Sequence, residues 1–147
     1  MPVVRGCNLP DELQYDVPNN LWYRDEGDGT YTVGMTMIAA AMAGALVAFT
    51  AKKVGKTIDA GKSVATVESG KWVGPVKIGF ESEIVGVNDG LSENPKLVNS
   101  DTYGGGWMVR VRPTDPTTAA SVLVAGSAVA EPYEAKMAQD NFAGCAA

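Results

Sequence analysis

The chain has 147 residues, enough for one domain with a real core and too few for two ordinary ones. Its formal net charge of −5 argues against nucleic acid or an anionic membrane surface as the main partner, because both reward clustered lysine and arginine. Histidine is absent altogether, which removes the commonest general base and the commonest metal ligand and lowers the expectation of a self-sufficient enzyme.

Residues 8–20 are polar and proline-bearing, with Pro10 opening a possible single helical turn, and read as a lead-in arm. Leu21-Trp22-Tyr23-Arg24 and Thr30-Tyr31-Thr32-Val33-Gly34 read as a first hairpin around the turn Asp25-Glu26-Gly27-Asp28-Gly29. From Tyr31 to Ala51 there is no charge at all. That length approaches a membrane span, but alanine and glycine are only weakly apolar, threonine and glycine interrupt the run, and its start already belongs to a strand, so no span is expected. The local signals predict instead that Thr36 caps a short helix from Met37 to about Ala43, that Gly44 ends it, and that Ala45 to Ala51 forms a strand. Met37, Ala40, Ala41 and Met42 cannot all face inward on so short a helix. Either some apolar surface is left for a partner, or the helix packs under the N-terminal arm.

Beyond a lysine-rich turn region, Ser63 to Ser69 and Trp72 to Phe80 read as two antiparallel strands, with Gly70 supplying the tight turn and Lys71 at the hairpin tip, its amine in water. Taken alone, such a lysine is a charged turn residue kept for solubility. Ile84 to Leu91 gives another strand and turn, Asn94 to Asn99 a further turn, and Met108-Val109-Arg110-Val111-Arg112 alternates as a half-buried strand. After Pro113-Thr114-Asp115-Pro116 the composition becomes helix-compatible, giving one or two C-terminal helices and a frayed tail. Many short strands at close spacing with glycine turns indicate a mainly β fold, a small sandwich or flattened barrel. The expected division is an arm over 1–20, a β domain over 21–116, and a helical segment with tail over 117–147.

Cys7 and Cys145 stand near opposite ends, unlike a disulfide framework or a zinc site. Two free thiols in a reducing, cytoplasmic setting are expected; a bridge between the chain ends is the alternative. The opening Met1 to Cys7 lacks a basic stretch followed by an apolar one, so no signal peptide is expected.

The order of pieces is similar to a known family. Glu68-Ser69-Gly70-Lys71, then Val87-Asn88-Asp89-Gly90-Leu91, Pro95-Lys96-Leu97-Val98-Asn99 and Tyr103-Gly104-Gly105-Gly106-Trp107-Met108-Val109-Arg110-Val111-Arg112-Pro113, resembles the glycine cleavage H protein and its lipoyl-carrier relatives over roughly Leu9 to Tyr133. The resemblance implies a barrel-sandwich hybrid fold and a lipoyl group in amide linkage to Lys71, with Glu68 helping lipoate-attaching enzymes recognise the hairpin. A biotin carrier would be expected to flank its lysine with methionines, and Gly70 and Trp72 do not match that.

The departures carry information too. Where glycine cleavage carriers place carboxylates that hold the amine of an aminomethyl-loaded arm, this chain has Leu21 and Pro75. A cationic cargo would lose its acceptors there. The helix beginning Thr36-Met37-Ile38-Ala39-Ala40 is apolar where the family's is polar, and the residue after the lysine is Trp72, which is either packed into the sheet or offers sulfur an aromatic face. Such a set looks like the lipoate-binding proteins associated with heterodisulfide-reductase-like complexes of sulfur oxidation. That resemblance implies a non-catalytic, cytoplasmic carrier of sulfur intermediates. An ordinary H protein carrying aminomethyl, and an unlipoylated scaffold with the same fold, are the alternatives.

Overall fold

Alternation along the strands sorts the chain into two facing layers. In the computed structural model, which describes residues 3–145, the elements run β1 (Val3–Val4), β2 (Cys7–Asn8), β3 (Gln14–Asp16), β4 (Leu21–Asp25), β5 (Tyr31–Met35), α1 (Met37–Ala43), β6 (Leu46–Ala51), β7 (Thr57–Ile58), β8 (Ser63–Ser69) and β9 (Val73–Lys77). They continue with β10 (Ser82–Val87), α2 (Gly90–Glu93), α3 (Leu97–Ser100), β11 (Val109–Pro113), α4 (Pro116–Val122), β12 (Val124–Ala125), a 3-10 turn at Gly126–Ala128, and α5 (Ala130–Gln139). Seven strands form one antiparallel sheet in the order β12-β3-β4-β5-β11-β10-β7, and β6-β8-β9 form the other. The mainly β, flattened barrel-sandwich architecture expected from the sequence is the one adopted.

The core follows from that alternation. Val109 and Val111 of β11 point inward while Arg110 and Arg112 point out; Val64 and Val67 of β8 share one apolar cluster with Tyr23, Val33 and Ile84 of the larger sheet and with Phe80 from the loop before β10. A second apolar cluster gathers Leu9, Leu13, Tyr15, Trp22, Ile38 and Tyr133. Residues 1–20 were expected as an arm ahead of the β domain; of these, the described residues 3–20 are built into it. β3 pairs with β4, and Leu9, Leu13 and Tyr15 are fully buried. The reason lies in residues 124–139: β12 pairs with β3, and α5 contributes Tyr133 and Met137 to the same cluster.

The uncharged stretch behaves as its local signals dictate. The Thr36 side chain accepts a hydrogen bond from the Ala39 N–H, α1 covers Met37–Ala43, and Gly44 closes it with a left-handed φ of 84°. Among the described residues no helix is long and apolar enough to cross a membrane. The segment expected as a turn at 94–99 instead includes the one-turn helix α3.

The expectation of two free thiols is corrected. Cys7 and Cys145 are joined by a disulfide, with Cα atoms 5.0 Å apart. The ends meet because Arg5 binds them from several sides: its guanidinium pairs with Glu134 at 2.9 Å and donates to the Phe142 carbonyl, and its own carbonyl accepts the Cys145 N–H. Nothing in the local sequence around either cysteine announces that meeting.

Candidate functional site

The β8–β9 hairpin closes tightly. Glu68 lies opposite Val73, and the Ser69 N–H donates to the Trp72 carbonyl at 2.7 Å, leaving Gly70 and Lys71 as the two tip residues. The Ser69 hydroxyl also accepts the Lys71 N–H at 3.3 Å, which braces the tip from inside. Lys71 is exposed, and its amine makes no hydrogen bond or ion pair with the described residues. Its aliphatic end lies against Gly44: a Cβ built on that glycine would fall 3.2 Å from Lys71 Cε. The α1–β6 junction that forms this rest is fixed by Asn99, whose amide nitrogen donates to the Gly44 carbonyl and whose oxygen accepts the Leu46 N–H, both at 2.9 Å.

Gly70 occupies the tip, but not for the expected reason. Its φ lies outside the left-handed region, and a Cβ there would meet nothing within 4 Å. The turn itself does not demand glycine. Glu68 projects from the outer face of β8, opposite the inward Val67, and is exposed with no hydrogen bond or ion pair to the described residues. Trp72 is neither packed into the sheet nor fully free: it is 41 % exposed, and its ring occupies the space a side chain at Gly74 would need.

Beside Lys71 opens a groove of about 490 Å³. Leu21, Met35, Ala39, Met42, Val67 and Val76 give it an apolar wall drawn from both sheets and α1, and Trp72 and Pro75 line it from the hairpin. Apart from Lys71 and the indole of Trp72, the polar residues lining it are Asn19 and Asn20; no carboxylate lines it. Leu21 and Pro75, singled out from the sequence, therefore meet at one groove with the lysine. The surplus apolar surface expected on α1 is here as well, since Met42 is 42 % exposed. Behind Asn19, the buried Asp16 accepts both its N–H and its amide nitrogen, the latter at 2.8 Å. Burial raises the Asp16 carboxyl above the ordinary carboxylate range, with the Asn19 hydrogen bonds partly opposing the rise.

Sequence reasoning did not find Asn20, Met35, Ala39, Val67, Val76 or the bracing role of Asn99. Only the last had a signal, as the closing residue of the Pro95-to-Asn99 motif. The others are brought together by pairing between distant strands. Among the described residues no three His, Cys, Asp or Glu side chains are grouped to hold a metal ion.

An unengaged lysine amine at a rigid, exposed tip suits a covalently attached group that must reach other proteins, and the groove beside it suits an apolar portion of such a group. Fold and site together define a small β carrier domain. The family model for the glycine cleavage H-protein matches residues 13–136, and the chain belongs to that family, whose members carry lipoate covalently attached to a lysine. Among its relatives, glycine cleavage system H protein 5 of Aquifex aeolicus is 54 % identical over 135 residues, covering 89 % of this chain and 90 % of the relative. The glycine cleavage system H protein of Cronobacter sakazakii is 41 % identical over 120 residues, covering 82 % and 92 %. The crystal structure of an H protein from Mycobacterium marinum superposes with a TM-score of 0.71 at 29 % identity, covering 90 % of this chain and 98 % of that one.

Proposed function

We propose that the chain is a non-catalytic cytoplasmic carrier, that Lys71 bears the lipoyl group, and that the arm carries sulfur intermediates between enzymes of a heterodisulfide-reductase-like oxidation pathway. Glu68, exposed three residues before the lysine, is the handle by which lipoate-attaching enzymes recognise the hairpin, and the bare main chain at Gly70 gives them access. When attached, the dithiolane supplies a disulfide that opens and recloses around its cargo. The protein's own part is to hold the tip rigid through Ser69, to rest the lysine stem on Gly44, and to offer the groove.

The observation that carries the sulfur reading is the absence of any carboxylate from the groove. An ammonium-bearing cargo placed there would exchange water for Leu21, Met35 and Pro75 without gaining an acceptor of opposite charge. A neutral sulfur group carries no such requirement, and an anionic one needs hydrogen-bond donors rather than a carboxylate.

Intact-mass measurement of protein from a lipoylation-competent native host tests the carrier reading. A lipoyl increment that disappears in Lys71→Arg is expected; an unmodified Lys71 would favour a scaffold role and end the carrier reading. The family relatives are named for glycine cleavage, so that role is the second reading. Supplying the lipoylated protein to glycine cleavage enzymes separates the two, since efficient turnover would remove the sulfur assignment.

A further inference from the structure

Acylation of Lys71 removes its charge, so the groove beside a loaded arm has only two polar side chains besides the indole of Trp72, the amides of Asn19 and Asn20. They are not equivalent. Asn19 is engaged, its amide nitrogen and its N–H both given to Asp16. The Asn20 amide is not: Oδ1 is buried without a hydrogen-bond partner, and Nδ2 donates to nothing among the described residues. With Oδ1 closed off from the groove, the end of the amide left free to meet a ligand is the donor Nδ2.

The backbone keeps Asn20 in place independently of its side chain. Its φ is 56°, a left-handed conformation that asparagine tolerates, its N–H donates to the Val17 carbonyl, and its carbonyl accepts the N–H of the α1 cap Thr36. The main chain at Asn20 is thus fixed beside the groove, and the end of its amide that keeps surface there is the unpartnered Nδ2, a donor, while Oδ1 is packed away. A carboxylate in its place would be fixed as an acceptor.

Resting on the carrier reading above, we propose that Asn20 is the specificity-determining residue of the groove. Its amide nitrogen donates to the anionic sulfur group on the loaded arm. The substrate class this defines is an oxidised, anionic sulfur species in covalent linkage to one arm sulfur, with the aminomethyl cation excluded by the missing carboxylates.

Sulfite is a suitable probe. It attacks one dithiolane sulfur, the S–S bond breaks, and its electron pair remains on the second sulfur, so the arm becomes one S-sulfonate and one thiolate with no other reactant needed. Lipoylated wild type, Asn20→Asp and Asn20→Gly are equilibrated with sulfite, and the S-sulfonate fraction is read by intact mass, with free lipoamide as reference. Glycine keeps the left-handed main chain and removes only the amide, so folding is not at risk. The expected result is an equilibrium constant lowered roughly tenfold in Asn20→Gly and further in Asn20→Asp, where a like charge replaces a donor. Equal constants in all three proteins, with Lys71 lipoylated, would overturn the role of Asn20 and leave the carrier reading intact. An unmodified Lys71 would overturn both.

Discussion

The ring of Trp72 lies over the α-carbon of Gly74, in the space any larger residue there would claim. Trp72 stands immediately before β9 and Gly74 is the second residue of that strand, so the ring folds back over the strand's start. Trp72 is therefore held at the groove by the absence of a side chain below it. Gly74→Ala is expected to drive the indole outward and destabilise the protein by about 1–2 kcal/mol, through overpacking and lost contact. Because Trp22 and Trp107 also fluoresce, the measurement is the difference spectrum against Trp72→Phe. A red-shifted Trp72 component is expected, and an unchanged one would show that the ring has other support.

At the hairpin tip, fold and recognition can be separated. Gly70 has no left-handed φ and open space where a Cβ would go, so Gly70→Ala should change stability by no more than about 0.5 kcal/mol. Lipoyl occupancy in the native host is expected to fall nevertheless. A Tm lower by several degrees would mean that the turn requires glycine after all.

The Cys7–Cys145 bridge closes nearly the whole chain, with a sequence separation of 138. In the chain-entropy picture a loop of that length contributes up to about 5 kcal/mol by restricting the unfolded state. Urea titrations of the oxidised protein and of the double variant Cys7→Ser, Cys145→Ser should differ in midpoint in that direction. Coincident midpoints would mean that Arg5, with its contacts to Glu134 and Phe142, already holds the ends together.

Asp16 gives the stability a pH dependence of definite sign. Its carboxyl is 1 % exposed, and burial raises its pKa in the folded state above the ordinary value of 3.8. The native protein thus holds that proton to higher pH than the unfolded chain does, and this contribution is favourable at low pH. It is lost as pH rises from the ordinary value through the raised one. Asp16→Asn should flatten the stability profile across that window, measured as urea midpoint against pH. A variant whose profile stays parallel to wild type would assign the slope to other carboxylates.

How much of this could be read beforehand depends on the range of the interactions involved. The Thr36 cap, α1 and the Gly44 stop were legible because a hydroxyl three residues ahead of a free N–H and a left-handed glycine are local devices. Lys71 at a tip between Ser69 and Trp72 was legible from alternation on either side. β3 was misread as part of an arm because its partners, β4 and β12, include a strand more than a hundred residues away. The disulfide escaped for the same reason. Of the groove, Leu21 and Pro75 stood out through departures from a family pattern. Asn20 did not: its unpaired oxygen is a property of the assembled surroundings and leaves no mark on composition or spacing.

Pro75 has one more effect. β9 is an outer strand of the three-stranded sheet, and a proline in it removes a donor that an unpaired edge would otherwise offer to another chain, while Lys77 places a charge on the same strand. A protein that must meet several partners in turn and leave each of them is harmed by any tendency to zip onto its own copies. Under the proposed function, the residue that leaves this position of the groove without a carboxylate would also disfavour edge-to-edge pairing between copies, so that Pro75 would serve both cargo and traffic.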